Sequence, residues 1–270
     1  MKLCMGMLCV LLLSAPLFAE ESKEAPKSEE KEASSTEASW LKEFSITGGT
    51  DVVSQYLFRG WDVYDDRPAI QPSFTLNTPN IGLGFNLWGS WALSGRDPDQ
   101  AFSRQLDEID FTVFLRRRFW QFEFGIGNIA YIYPETVAHD GYTAEIFTDV
   151  RFYIPLTPDF FSASVYGFAA YDYDKGNDFY LRFGADASFQ FGVAENTTLS
   201  FPLQMWVGYN HEQFNVDPAV SDVNFGAGVQ ITWRWLTAKV VINYTITPED
   251  TINPYDDGEF WMLCGLSFTF

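Results

Sequence analysis

Apolar and polar side chains alternate along most of this sequence, from Trp40 to the C-terminal Phe270. One stretch places uncharged residues at every second position: Phe179, Leu181, Phe183, Ala185, Ala187, Phe189 and Phe191. The positions between them hold Tyr180, Arg182, Gly184, Asp186, Ser188 and Gln190. Because successive side chains of a β-strand point to opposite faces of its sheet, this period predicts strands with one apolar and one polar face.

The apolar content is high, at 47%, but it is spread evenly along the chain. No run of about 18 or more apolar residues follows the N-terminal region, so we expect no transmembrane helix. Apolar residues interrupted at every second position are typical of a barrel with lipid outside and water inside. Composition alone would also fit a secreted β-sandwich.

The alternating segments between turn signals number about twelve. They cover residues 44–59, 69–78, 81–94, 105–118, 121–133, 141–154, 160–172, 178–191, 197–210, 221–234, 236–247 and 258–270. Most are longer than the roughly 9–11 residues that a tilted strand needs to cross a bilayer. The even count also fits single-chain bacterial barrels. The predicted fold is therefore all-β, an antiparallel transmembrane β-barrel of about 12 strands.

The connections between these segments alternate in length. The long, polar set covers residues 60–68, 95–104, 134–140, 173–177, 211–220 and 248–257. The shorter set covers residues 79–80, 119–120, 155–159, 192–196 and 235. Outer-membrane barrels have short periplasmic turns and longer external loops, so this asymmetry predicts that the long set faces outward.

The N-terminal region differs from the remainder of the chain. Lys2, the apolar stretch Leu3 to Leu13 and Ala19 have the order of an export signal peptide, which predicts cleavage after residue 19. Residues 20–39 are rich in Glu, Lys and Ser and contain no aromatic residue, so we expect a disordered acidic linker, with a helix as the alternative. Residues 40–270 would then form the barrel of an exported bacterial outer-membrane protein, with Cys264 as its only cysteine.

The last strand ends on an aromatic residue. Phe268 and Phe270 alternate with polar positions up to the chain terminus, a pattern that the outer-membrane barrel-assembly machinery reads in proteins of this class. This pattern predicts that the machinery and outer-membrane lipids are partners. Aromatic residues near other strand ends are placed for interfacial girdles: Tyr56, Phe58, Phe119, Trp120, Tyr171, Tyr173 and Trp233.

Polar residues on the face opposite the apolar set are the candidates for a lumen lining or constriction. They are Asp51, Gln55, Arg59, Asn86, Arg116, Arg118, Glu123, Glu145, Asp149, Arg151, Arg182, Asp186, Arg234 and Lys239, of which the first three lie on the predicted first strand. A hairpin turning at Phe119-Trp120 would place Arg116 directly opposite Glu123 as an ion pair. These charges could select small solutes at a constriction, or they could form a lattice of ion pairs that closes the lumen.

The formal net charge of −19 argues against a nucleic-acid partner, which requires a surplus of Lys and Arg. Acidic residues are frequent in the predicted loops. The run from Asp172 to Asp178 has only a weak similarity to a calcium loop, because it contains Lys175 and lacks a fixed ligand spacing. We expect neither a cofactor nor a metal site.

Two other classes of function remain open at this point. A lipid-modifying hydrolase embedded in the barrel would need a histidine beside a serine, and the predicted mature chain offers only His139 and His211, both in predicted loops. An adhesion or structural barrel would bind partners through exposed Trp61, Phe214 or Tyr255. We expect a non-enzymatic channel for small solutes.

The segment Asp51-Val52-Val53-Ser54-Gln55-Tyr56-Leu57-Phe58-Arg59-Gly60, followed by Pro68-Ala69-Ile70-Gln71-Pro72-Ser73-Phe74 and then by residues 82–90, resembles the TorF-type porin family. The Ser-x-Tyr-x-Phe-Arg-Gly element is the specific part. This resemblance covers about a fifth of the chain and implies an outer-membrane, porin-like protein without a defined substrate. The acidic linker is a departure from the family pattern.

Overall fold

A computed structural model describes residues 44–94, 107–134, 141–155, 158–252 and 258–270. The strands are β1 (Ser45–Val53), β2 (Leu57–Phe58), β3 (Trp61–Asp62), β4 (Ala69–Thr78), β5 (Leu83–Ala92), β6 (Glu108–Phe119), β7 (Phe122–Ile132), β8 (Tyr142–Ile154), β9 (Phe161–Asp172), β10 (Phe179–Ala194), β11 (Thr197–Asn210), β12 (Ala219–Trp233), β13 (Leu236–Ile246) and β14 (Gly258–Thr269). One 3-10 turn spans Gln213–Asn215. Within these ranges no helix has the length and apolar character that a membrane crossing would require.

β1 and β4 to β14 form a closed antiparallel barrel of twelve strands, as predicted. Consecutive strands pair with each other, and β1 completes the ring by pairing with both β4 and β14. At this last pairing the backbone of Ile46 exchanges two 2.9 Å hydrogen bonds with the C-terminal Phe270. The terminal strand predicted from the Phe268–Phe270 pattern therefore closes the barrel.

The two faces of the barrel differ in polarity. Large apolar side chains are exposed on the outer face; Phe183 is 64% and Ile242 is 57% exposed. Polar side chains are buried on the inner face, and Gln71, Asn224 and Asn243 are at most 1% exposed. An apolar outer band around a polar interior is the arrangement found in barrels that cross a membrane.

The predicted strand bounds agree with the structure within a few residues, except at the first strand. β1 ends at Val53 rather than at residue 59. Residues 54–68 leave the barrel wall, and they carry the two-stranded β2–β3 hairpin. Tyr56, which was predicted for an interfacial girdle, is instead 4% exposed and packs against Tyr64 and Trp88, with ring centroids 5.3 and 5.7 Å apart.

The connections at one end of the barrel are mostly shorter than those at the other, as predicted, although residues 155–160 and 173–178 are connections of equal length at opposite ends. Two-residue turns at 120–121, 195–196 and 234–235 lie at one end, which we call the short-turn end. The long connections lie at the other end, called the long-loop end. The predicted signal peptide (1–19) and linker (20–39) lie outside the described residues.

We expect a charged residue on the middle of the outer face to destabilise the protein in a lipid bilayer. Leu203 is 43% exposed near the centre of β11. Leu203→Arg should lower the free energy of unfolding in phospholipid vesicles by about 2–4 kcal/mol, because it places a charge in hydrocarbon. Phe119→Arg, at the short-turn end, should cost about 1 kcal/mol or less. Urea titration of the heat-modifiable folded form measures both, and equal costs would contradict the membrane position of the band.

Candidate functional site

A hairpin folds into the barrel from the connection between β1 and β4. Its tip is the two-residue turn Arg59-Gly60, in which φ is 53° at Arg59 and 89° at Gly60. Positive φ at both central residues is the requirement of the type I′ turns that join tight hairpins. Here the first position is an arginine rather than the usual glycine or asparagine. The tip therefore directs a long cationic side chain into the lumen.

The tip contacts strands on the far side of the barrel. Both guanidinium nitrogens at the end of Arg59 donate 2.6 Å hydrogen bonds to the two carboxylate oxygens of Glu145 on β8. The Arg59 guanidinium carbon also lies 4.3 Å from the ring centroid of Tyr180 on β10. On its other side, Gly60 accepts a 3.4 Å hydrogen bond from the Thr247 hydroxyl. The hairpin thus crosses the lumen, and we call residues 54–67 the inward hairpin.

The Arg59–Glu145 ion pair is fully enclosed, with side-chain exposures of 6% and 1%. Glu145 also accepts hydrogen bonds from the Tyr131 hydroxyl at 3.0 Å and from the Gln213 amide at 3.2 Å. Burial disfavours the charge of the guanidinium, but the Glu145 carboxylate together with the nearby Tyr131 and Tyr180 hydroxyls raises the pKa of Arg59 above its ordinary value. The Arg59 charge is therefore retained inside the barrel, in a bidentate contact with Glu145.

The base of the inward hairpin carries a second polar cluster. The side-chain amide of Gln55 donates to Asp66 at 2.9 Å, to Asp62 at 3.3 Å and to Glu259 on β14. These contacts attach the hairpin to the wall on the side of the lumen where it originates.

Three ion pairs among the described residues join barrel strands that are not direct neighbours. Lys239 Nζ lies 3.3 Å from Asp51, Arg116 Nη2 lies 3.0 Å from Asp149, and Arg151 pairs with Asp186. Each pair spans three strands, because the two charges belong to the outer strands of a triplet. In two of these pairs the middle strand carries a glycine that lies opposite both charged residues, Gly265 and Gly125. In the third pair Ser164 lies opposite Asp186, whereas Arg151 lies opposite Tyr166 and donates a 2.6 Å hydrogen bond to the Ser164 hydroxyl.

The middle residue must be small for this arrangement. A Cβ atom on Gly125 would lie 2.2 Å from Asp149 Oδ2, and one on Gly265 would lie 2.1 Å from Asp51 Oδ1. The side chains of each pair therefore meet directly above the middle strand. We call a base, a small middle residue and an acid arranged in this way a row. The three ion pairs account for six of the predicted lumen residues.

The predicted direct pairing of Arg116 with Glu123 is wrong. The β6–β7 hairpin turns at Trp120-Gln121, one residue later than predicted, so that Arg118 lies opposite Glu123 and Arg116 lies opposite Gly125. Arg116 nevertheless approaches Glu123 diagonally, with Nε 3.7 Å from the carboxylate.

The structure moves three other predicted lumen residues. Gln55 and Arg59 belong to the inward hairpin and not to the first strand. Arg234 lies in the exposed turn between β12 and β13, where its guanidinium stacks 5.3 Å from the Trp233 ring, so its predicted place in the lumen is wrong. Arg118 is exposed at the short-turn end, over the ring of Tyr153.

Asn86, another of the predicted lumen residues, lies on β5 and donates a 2.8 Å hydrogen bond to Thr75 on β4.

Sequence reasoning missed the aromatic part of the interior. Tyr131, Tyr180, Trp206 and Trp261 are 2–9% exposed and face inward. Each lies an even number of residues from a polar residue on its own strand, as Tyr180 does from Arg182. The alternation therefore already indicated that these aromatic side chains face the lumen. Tyr180 had been placed on the polar face, but only charged and amide side chains were chosen as lumen candidates.

These aromatic residues border a recess beside the inward hairpin. The recess has about 630 Å³ of space between protein atoms, part of it open to solvent. Its wall includes Arg59, Tyr131, Phe168, Tyr180, Arg182, Trp206, Asp222 and Trp261. It is therefore a mainly aromatic chamber containing a few charged groups, which is the usual composition of a site for a small molecule.

Two groups of described residues bring three metal-ligand atoms within 4.8 Å of one another: Asp178, His211 and Glu212 at the long-loop end, and Asp62, Asp66 and Glu259. In the first, His211 Nδ1 is 2.9 Å from Asp178. In the second, the Gln55 amide lies among the carboxylates. Because both groups have these internal partners, we assign a metal to neither.

Asp172, in the run with weak similarity to a calcium loop, is buried and accepts hydrogen bonds from the Thr143 hydroxyl at 2.7 and 2.9 Å. His139, one of the two histidines considered for a hydrolase, lies outside the described residues. The prediction that the protein is not an enzyme stays a prediction.

We expect loss of one partner of the Arg59–Glu145 pair to destabilise the protein strongly. Glu145→Ala should cost about 3–5 kcal/mol in the free energy of unfolding, because it leaves the Arg59 charge buried without a partner. The double substitution Arg59→Met with Glu145→Met should recover most of that loss, since no charge then remains. Arg117→Met, on the outer face, is the matched control. If Glu145→Ala unfolds at the wild-type urea concentration, the pair does not hold the hairpin.

Solved structures with a similar fold are bacterial barrels. The LpxR structure from Salmonella typhimurium is 9% identical, with a TM-score of 0.51 over 84% of this chain and 100% of that one. A bacterial polysaccharide outer membrane secretin is 12% identical, with a TM-score of 0.48 over 84% and 97% of the two chains. The KdgM porin is 10% identical, with a TM-score of 0.47 over 84% and 99%. At such low identity the LpxR similarity establishes the fold alone.

No curated protein matches the sequence. A family model, described as a bacterial protein of unknown function (Gcw_chp), matches residues 37–256. The match includes the inward hairpin and every barrel strand except the last. This chain belongs to the Gcw_chp family.

Proposed function

We propose that the protein is a channel of the bacterial outer membrane for small solutes, with a passage narrowed by the inward hairpin. The observation that carries this proposal is the hairpin itself, which crosses a polar, charged lumen and contacts the opposite wall through Arg59 and Glu145. A channel that selects its solutes needs such a constriction, where charged side chains of the wall and the obstruction face the same narrow space.

The proposed location is supported by three features of the barrel. Its outer face is apolar, its strand number is even, and its last strand ends at Phe270 in the closing seam. The same terminal pattern is the basis for proposing the barrel-assembly machinery and outer-membrane lipids as partners. The resemblance of residues 51–60 to TorF-type porins agrees with this function, because residues 54–60 form the first half of the inward hairpin.

The size of the barrel supports small rather than large solutes. Barrels of eight strands can be filled by their own side chains, whereas wide aqueous porins have about 16–18 strands. A twelve-stranded barrel lies between these limits, and here the hairpin occupies part of the lumen.

The charge of the lumen supports a preference for cations. Among the described residues on the inner face and the inward hairpin, carboxylates outnumber the bases, because Asp62, Asp66, Asp172 and Asp222 add to the three wall ion pairs. An excess of one sign in a low-dielectric passage concentrates counter-ions of the other sign.

The first test is the conductance of the refolded barrel in a planar bilayer under a salt gradient. We expect stepwise currents and a reversal potential of the sign for cation selectivity. Silence from correctly folded protein would reject the channel and favour the hydrolase or adhesion alternatives.

Arg116→Ala should shift the reversal potential further toward cations, because it removes a positive charge from the lumen. Arg117→Ala is the matched control, since it removes the same charge from the adjacent residue on the outer face. Equal shifts in the two variants would show that the lumen charges do not set selectivity.

A further expected outcome concerns the hairpin. Arg59→Gln should raise the mean single-channel conductance, because it removes the ion pair that holds the tip against β8. Lys239→Gln is the comparison, since it breaks an ion pair that joins two wall strands and holds no part of the hairpin. A larger conductance in Lys239→Gln than in Arg59→Gln would contradict the role of the hairpin as the constriction.

A further inference from the structure

Arg182 differs from the other arginines and the lysine that line the interior. Arg59, Arg116, Arg151 and Lys239 each have a carboxylate partner within 4.0 Å. Arg182, on β10, has neither an ion pair nor a hydrogen bond to any residue in the described part of the chain, and its Nε atom is buried without an acceptor. A buried donor of a charged group without an acceptor is costly, so an acceptor from outside the chain would stabilise it.

The position of Arg182 repeats the arrangement of the wall ion pairs. Arg182 on β10 lies opposite Gly208 on β11, and Gly208 lies opposite Asp222 on β12. As in the other rows, the middle glycine leaves room, since a Cβ atom on Gly208 would lie 2.1 Å from Asp222 Oδ1. By analogy, Asp222 would be the partner of Arg182.

Asp222 is instead bound by neutral donors. Its Oδ2 accepts a 2.6 Å hydrogen bond from Trp206 Nε1, and its Oδ1 accepts from Tyr180 at 3.1 Å and from Ser221 at 2.8 Å. Both carboxylate oxygens are thus occupied by neutral donors, and among the described residues this row has no ion pair between its base and its acid.

Aromatic rings surround the Arg182 guanidinium and fix its position. Its central carbon lies 5.3 Å from the ring of Phe168, 5.6 Å from that of Trp206 and 5.7 Å from that of Tyr166. Cation–π contacts of this kind stabilise the charge but leave the N–H groups without acceptors. The guanidinium lines the recess beside the inward hairpin, together with Trp206, Trp261 and Tyr180.

We propose that this recess binds a small solute that carries a carboxylate next to a planar or apolar group. Arg182 donates to the carboxylate in a bidentate manner, and the indole and phenyl rings cover the remainder of the solute. This site deepens the proposed channel function by naming a solute class, and it lies where a solute entering from the long-loop end meets the inward hairpin.

A site for an organic acid inside a lumen rich in carboxylates selects between simple anions and solutes with a large apolar surface. Simple anions are repelled by the carboxylates along the passage, whereas a solute with a large apolar surface gains contact with the aromatic wall once it reaches Arg182. The proposed solute is therefore aromatic or otherwise planar, and inorganic anions are excluded from the proposal.

The probes are benzoate and benzamide, which have nearly the same shape and differ in charge. Titration calorimetry on the folded wild-type barrel in neutral detergent micelles should show saturable binding of benzoate and at least about tenfold weaker binding of benzamide. Arg182→Met should reduce the affinity for benzoate by about tenfold or more, since it removes the charged donor and keeps the volume. Arg117→Met, which removes a charge from the outer face, should bind benzoate as the wild type does.

Equal affinities for the two probes, absence of benzoate binding, or unchanged benzoate affinity in Arg182→Met would each overturn the proposed site. If Arg182→Met does not fold, the comparison of benzoate with benzamide on the wild type still decides. The binding measurement needs no bilayer, so it is independent of the conductance measurement. Binding without current would support the site and reject the channel. Current without binding would support the channel and reject the site.

Discussion

Closure of the sheet between β1 and β14 is the constraint on which the remaining structure depends. Once Ile46 and Phe270 exchange their backbone hydrogen bonds, no strand edge is left, and each wall residue is committed to the inner or the outer face. A slip of one residue would move every charge of the lumen into the outer face. The register of the twelve strands therefore also fixes which side chains face the lumen and which face outward. The ion-paired rows across the wall form because that register is fixed.

The rows show how charges are accommodated in a confined interior. The base and the acid of each pair lie on strands that are separated by a third strand. A glycine or serine on that middle strand leaves room for the two side chains to lean toward each other. The cost of removing Arg116 and Asp149 from bulk water is partly offset by this direct contact. Where the acid is bound by other donors, as Asp222 is by Trp206 and Tyr180, the base has no partner in the part of the chain that the structure describes.

Much of the barrel could be predicted from the period of the sequence, because lipid and water impose opposite demands on alternate residues. That argument gave the strand number and most strand bounds. It failed at residues 54–59, where the pattern of a strand continues through Tyr56 and Phe58 but the chain leaves the wall. Local alternation cannot distinguish a wall strand from a hairpin that is covered on all sides, because that difference depends on distant partners such as Glu145. The predicted position of the β6–β7 turn was also wrong by one residue. Trp120 adopts a φ of 58°, a conformation that is uncommon for a bulky residue and that the sequence therefore did not indicate.

The inward hairpin begins and ends at one seam. β1 and β4, which carry it, are hydrogen-bonded to each other from Ser45–Asn77 to Val53–Ala69, so the ladder is complete before the chain turns into the lumen. Movement of the tip consequently requires no change in the hydrogen bonds of the wall and disrupts only side-chain contacts. The barrel is therefore a closed frame with one arm attached at its base, and the tip of that arm is held by the Arg59–Glu145 contact and by the hydrogen bond from Thr247 to Gly60.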